Sequence, residues 1–235
     1  MSLEDLYSKL ISKENTLGDE FKESLNNIGK NHITETNSSF SPEEITYCPR
    51  RIIYKSLFTS INENIFIKNE LIGEKRNSAI MRWQKLFKKN KYIEILDSNV
   101  VLVDCNTNLL GSADFVILFK DDKFLVRIYD VNDSDFNDLS KEKIPSKSAI
   151  ESILLMWLAD IDNMFMIFEN NGETKIFHIG LLEQKVLCQR VIEATKEKCR
   201  KLFQYKIRGK IPNRPYKNIS DECKQCNFLK ECWKK

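Results

Sequence analysis

Three cysteines in the last stretch of the 235-residue sequence, Cys223, Cys226 and Cys232, stand at C-x2-C-x5-C spacing. Thiolates at such intervals are metal ligands by type, but three are one short of a closed tetrahedral set. The segment just before them, Ile211-Pro-Asn-Arg-Pro-Tyr216, cannot run as regular helix, because each proline removes an amide donor and fixes φ. Converging thiolates would tie down a tail that is otherwise free. The candidate for the missing ligand is Cys48, in Thr46-Tyr-Cys-Pro-Arg-Arg-Ile-Ile-Tyr54. A structural zinc site and an iron–sulfur cluster both fit four thiolates; unrelated thiols are the plain alternative.

A second constellation is acidic. Asp114 ends Gly111-Ser-Ala-Asp114, and Asp130 opens Asp130-Val-Asn132. Both fall on adjacent predicted strands, where two carboxylates can share a hard divalent cation that takes oxygen ligands. Arg50, Arg51 and Lys55 form a basic patch suited to phosphates, and Lys85, Lys88, Lys89 and Lys91 form another. Each could equally be a solvated helix face.

The C-P-R-R-x-x-Y run at Cys48 with the later C-x2-C-x5-C resembles the iron–sulfur branch of the RecB-type nucleases, within the PD-(D/E)XK superfamily. The resemblance spans roughly residues 41 to 235. It implies a restriction-endonuclease-like α/β fold, a mixed central sheet flanked by helices whose N- and C-terminal parts are clipped by a [4Fe-4S] cluster on Cys48, Cys223, Cys226 and Cys232. It further implies Mg²⁺ or Mn²⁺ held by Asp114 and Asp130, and DNA ends or single strands as substrate. In that family the second acid is followed at plus two by a lysine that positions and activates water. Carried over, the lysine position falls on Asn132, which brings no positive charge. The helix motif that follows reads Glu151 and Leu155 here, and a histidine common in the preceding helix is replaced by Ala79-Ile-Met81. The resemblance thus leads to two expectations: a weakened metal-dependent DNA exonuclease, or an inactive relative serving as a DNA-binding or partner-binding subunit. Lys147, at the start of the following helix, is a lysine that could stand in if it reaches the acids.

Composition agrees with a globular protein: 42% hydrophobic and 30% charged residues, with 7 Gly and 5 Pro. The net charge of +3 comes from 37 basic against 34 acidic residues, so patches matter more than the sum. No apolar run reaches membrane-span length, and the first residues lack a signal-peptide layout. Seven cysteines without such a signal point to a reducing, cytoplasmic setting. Cys105, Cys188 and Cys199 read as buried small hydrophobes.

The elements that must hold these residues follow from periodicity. Residues 1–30 read as helix, and residues 1–40 as a helical extension with a linker, followed by one domain over 41–235. Ser41-Pro-Glu-Glu44 reads as a capping box that opens a helix over 42–58. Glu74 to Lys89 is amphipathic. Strands are expected over 92–105, 109–120 and 123–131, with Asp121-Asp122 as the second turn. An apolar helix over 146–160 precedes two strands around Asn170-Asn171-Gly172, a hairpin signal, and a long helix over 181–205 follows.

Overall fold

The structure, a computed structural model, describes residues 39–57, 63–139, 144–182 and 185–234, with only the backbone for 63–75. The helix expected over 1–30 lies outside the described residues. The chain divides into two units, Met1–Ser38 with Ser60–Glu74 and Ser39–Thr59 with Lys75–Lys235. The sheet and both candidate sites belong to the second.

A 3₁₀ turn over Glu44–Thr46 comes first, then helix α1 (Pro49–Leu57) and helix α2 (Glu63–Lys89). Strands β1 (Ile93–Asp104), β2 (Leu109–Phe119) and β3 (Asp122–Asp130) follow as an antiparallel meander. Helices α3 (Asp133–Asp138) and α4 (Ser146–Ala159) carry the chain to β4 (Asn163–Asn170), which hairpins into β5 (Glu173–Gly180). Helix α5 (Lys185–Ile207) and two short helices, α6 (Asp221–Lys224) and α7 (Leu229–Trp233), complete it. The sheet is five-stranded in the order β1-β2-β3-β4-β5, with β3 and β4 parallel and the other pairs antiparallel. A parallel pair needs a crossover rather than a tight turn, and α4 supplies it.

One face of the sheet packs on α2 through Ala79, Ile80, Trp83 and Phe87, side chains that recur at helical spacing. The other face carries the larger core, where Leu125, Met164, Met166 and Phe168 meet Ile53, Ile153, Leu154 and Leu202 of α1, α4 and α5. Gly111 allows the start of β2 to lie against α4. A Cβ there would stand 2.7 Å from Leu155 Cδ2 and 3.0 Å from Pro42 Cγ. Among the described residues no helix is long and apolar enough to cross a membrane.

Several points differ from the sequence reading, among them the start of α2, expected at Glu74 and found at Glu63. The helix expected over 42–58 breaks in two. Ser41 Oγ does accept from Glu44 N at 3.0 Å, but only the 3₁₀ turn follows before Tyr47 becomes extended. Pro49 explains the break: it lacks an N–H and disfavours helical φ/ψ at Cys48, yet is well placed to open a new helix. The second turn sits one residue early, since Lys120 and Asp121 take φ of 52° and 68° while Asp122 already pairs with Phe119. The β4–β5 turn does fall at Asn171-Gly172, with φ of 47° and 92° as a type I′ turn requires. Helix α3 was not expected. Asn132 is its N-cap, Oδ1 accepting from Asp135 N at 2.9 Å and Nδ2 donating to Asp135 Oδ2 at 2.8 Å.

Candidate functional site

Cys48 stands between the 3₁₀ turn and α1, on a segment fixed from outside. Lys198 of α5 donates to Ile45 O at 2.6 Å and Tyr47 O at 2.8 Å, and burial pulls its ammonium below the usual lysine range. Cys48 N donates to Glu222 Oε1 at 3.0 Å, so this backbone is gripped by the segment carrying the other cysteines. Burial alone would raise the Glu222 carboxyl, but hydrogen bonds from Tyr216 and Cys48 N hold it below the usual range. Ser220 caps α6, its Oγ accepting from Cys223 N at 3.3 Å. Cys48, Cys223, Cys226 and Cys232 line one cavity, walled by Tyr54, Phe228 and Trp233. The Tyr54 and Phe228 rings stack at 5.5 Å across it. All four thiols are free of disulfides, and burial pushes the Cys48 thiol up. Among the described residues no three of His, Cys, Asp and Glu are placed to grip a single metal ion. Of the remaining cysteines, Cys188 and Cys199 are buried, but Cys105 is exposed because β1 ends at Asp104 and the chain turns there.

The basic patch expected over α1 is engaged by partners within the chain, although Lys55 itself is exposed. Arg50 reaches the cysteine cavity, Arg51 lies 3.9 Å over the Tyr47 ring, and Lys55 pairs with Glu44. Lys147 also sits on Tyr47, 4.4 Å from the ring centre, and makes no ion pair with Asp114 or Glu151 among the described residues.

Asp114 is fully buried at a place where two strands part. The β2–β3 ladder ends at Phe115↔Val126, while β3 continues along β4 to Asp130↔Glu169. The opening leaves the Ile128 amide without a strand partner, and Asp114 Oδ2 accepts from it at 2.7 Å. Arg76 of α2 donates to Oδ1 through Nη2 at 2.7 Å and Nε at 3.1 Å. Arg127 stands next to this pair. Its Nη1 lies 3.9 Å from Asp114 Oδ1 and its Nη2 3.4 Å from Glu151 Oε1, so one guanidinium sits between two carboxyls. Tyr129 OH lies 3.3 Å from Glu151 Oε2. Burial raises the Asp114 carboxyl, and Arg76 only partly offsets it.

The strand alternation sorts the expected residues. Phe124, Val126 and Ile128 face the α2 core, whereas Arg127 and Tyr129 reach Glu151 on α4. Asp114 and Glu151 are therefore brought together, around Arg127. Asp130 follows the parity of Ile128 and pairs in register with Glu169, which itself accepts from Trp83 of α2 at 2.7 Å. Asn132 lies beyond the strand, as a cap. Arg76, Arg127 and Tyr129 escaped the sequence reading. An arginine inside the apolar run Phe124-Leu-Val-Arg-Ile-Tyr129 was the signal that could have found Arg127 and Tyr129.

Glu151 yields a test of this electrostatics. Burial, with Glu43 adding to it, pushes its carboxyl from 4.5 up to about 7, and the Tyr129 hydrogen bond and the Arg76 charge only partly offset this. The folded protein then binds this proton more tightly than the unfolded chain does. The associated stability, on the order of 3 kcal/mol, is complete below pH 4.5 and lost as pH rises through about 7. Thermal melts across that window should fall with rising pH. Glu151→Gln, neutral throughout, should flatten the fall and melt higher than wild type above neutrality.

No protein-family model matches the sequence, and no curated protein matches it. Among solved structures, SSO0001 superposes with a TM-score of 0.54 at 15% identity, over 90% of this chain and 93% of that one. This chain shares its fold. An alkaline exonuclease from Laribacter hongkongensis superposes at 0.46, with 9% identity over 73% of this chain and 93% of that one. The same exonuclease in complex with dAMP superposes at 0.42, with 12% identity.

Proposed function

We propose that this chain is a restriction-endonuclease-like protein of the iron–sulfur, RecB-type kind whose acidic site is closed, and that it binds DNA without cutting it efficiently. The observation that carries this reading is the state of Asp114. Both its oxygens are taken, by Arg76 and by the Ile128 amide, and Arg127 stands where a cation bridging Asp114 to Glu151 would have to sit. By strand parity, Arg127-x-Tyr129 rather than Asp130-x-Asn132 would stand beside Asp114 where the family carries acid-x-lysine. A positive group in place of the acid repels Mg²⁺ or Mn²⁺, and a buried phenol pushed well above its usual range neither carries charge nor moves a proton near neutrality.

Four cysteines lining one cavity, in the C-P-R-R and C-x2-C-x5-C frame of the resemblance, support a [4Fe-4S] cluster as the reading, with one zinc ion as its alternative. Zinc needs four sulfurs about 2.3 Å from a common point, whereas a cluster spreads four thiolates over several irons around a shared volume. Cys48, Cys223, Cys226 and Cys232 would hold it, and it would supply a cross-link between the start and the end of the domain. Protein purified without oxygen should be brown, with about four irons and four sulfides per chain. A colourless protein with stoichiometric zinc would reject the assignment.

DNA binding falls more naturally to the exposed Lys85, Lys88 and Lys89 at the end of α2 than to Arg50, Arg51 and Lys55, which serve internal partners. Fluorescence anisotropy with labelled duplex and single strands should show binding that weakens steeply with salt. Alanine at the three lysines should reduce the salt slope by about one unit for each phosphate no longer neutralised. The unaltered protein should leave the DNA intact with either metal. Rapid Asp114-dependent cleavage would overturn the closed-site reading and favour a working nuclease. Absence of DNA binding at low salt would point instead to a protein partner.

A further inference from the structure

We infer that Arg50 is the positioning residue of the cysteine centre, holding the Cys232 sulfur in place and setting the electronic character of whatever cluster the four thiolates carry. This rests on the iron–sulfur reading above. The guanidinium spends its donors on three segments at once. Nε donates to Cys232 Sγ at 3.1 Å, Nη1 to Pro212 O at 2.8 Å and Nη2 to Tyr54 OH at 2.9 Å. The first touches a ligand atom, and the second holds the proline segment that leads to the cysteines. The third fixes the ring that stacks on Phe228 across the cavity.

Three consequences follow from the chemistry. The planar fork of arginine can satisfy three acceptors in fixed directions, which a lysine ammonium on its flexible stem cannot. A positive donor on a ligand sulfur draws electron density from the iron and favours the more reduced, more negative state. Groups of this kind also retain the metal: losing one typically costs 10- to 100-fold in affinity. The four thiolates give the centre excess negative charge, and Glu222 on the Cys48 side adds more. Among the side chains lining the cavity, Arg50 is the cation whose donor points at sulfur.

The test uses the full chain purified without oxygen as wild type, Arg50→Ala and Arg50→Lys. Three quantities are measured: iron and sulfide content, loss of visible absorbance to an iron chelator, and midpoint potential by dye-linked titration followed by electron paramagnetic resonance. Arg50→Ala should release iron roughly 10- to 100-fold faster, and its midpoint should move to lower potential. Arg50→Lys keeps the charge without the fork. It should retain most of the potential yet still release iron faster, so the inference stands on it alone if the alanine variant does not fold. A brown wild type, with both variants matching it in potential and chelation rate, would overturn the role of Arg50 and leave the cluster intact as a reading. A wild type without iron or sulfide would overturn the cluster reading, and this inference with it.

Discussion

Cys48→Ser is expected to give a pale protein that has lost most of its iron and sulfide and unfolds at markedly lower temperature. Cys48 is the one cavity cysteine upstream of the sheet; Cys223, Cys226 and Cys232 all follow it. A cross-link between Cys48 and the C-terminal cysteines closes a loop containing all five strands. By chain-entropy reasoning, a tie across so long a loop is worth on the order of 5 kcal/mol. Its loss should also free the proline segment from Arg50 and expose residues 208–220 to protease. Cys105→Ser is the matched control, since that thiol is exposed and lines no part of the cavity. Equal colour and melting in the Cys48 variant would place the fourth ligand elsewhere.

The second large effect is a gain. Replacing Arg127 by Glu and Tyr129 by Lys together would put an acid and an ammonium on the Asp114 side of β3. The acid would join Asp114 and Glu151 as an oxygen ligand, and the ammonium would favour hydroxide and steady charge on a phosphate. A preorganised charge of this kind is worth about 3–4 kcal/mol of barrier, or two to three decades in rate. Metal-dependent cleavage should therefore rise at least a hundredfold over the unaltered protein and disappear again when Asp114→Ala is added. Asn132→Lys should bring no such gain, because that side chain caps α3 and its loss costs the cap about 1 kcal/mol. Cleavage rising with Asn132→Lys but not with the double change would reverse the assignment of the two faces.

What the sequence made legible, and what it did not, divides along physical lines. The strands carried alternating apolar residues with turn signals at their ends, so five strands and the Asn171-Gly172 turn could be read locally. The pairing of Cys48 with three cysteines far downstream was a matter of residue type and spacing, and the four do share a cavity. Faces were harder. Place in the string points to Asp130 and Asn132, whereas a one-residue change of parity moves a side chain through the sheet. The pairing of Arg76 with Asp114 depends on where α2 crosses the sheet, and no local pattern encodes that. Helix α3 was too short for a periodic signal, and Pro49 was outweighed by a strong capping box just before it.

The separation of the two halves of the cysteine cavity also orders events during synthesis. Glu222, which grips the Cys48 amide, lies 174 residues downstream. At about 5–20 residues per second, roughly 9–35 s pass between their translation. Every strand is made within that interval, so the sheet can assemble before its clip exists. On the iron–sulfur reading, the core would stand without iron until then. Insertion of the proposed cluster would then be a sealing step on a folded body, and cells short of iron would be expected to accumulate a compact, unsealed form rather than an unfolded one.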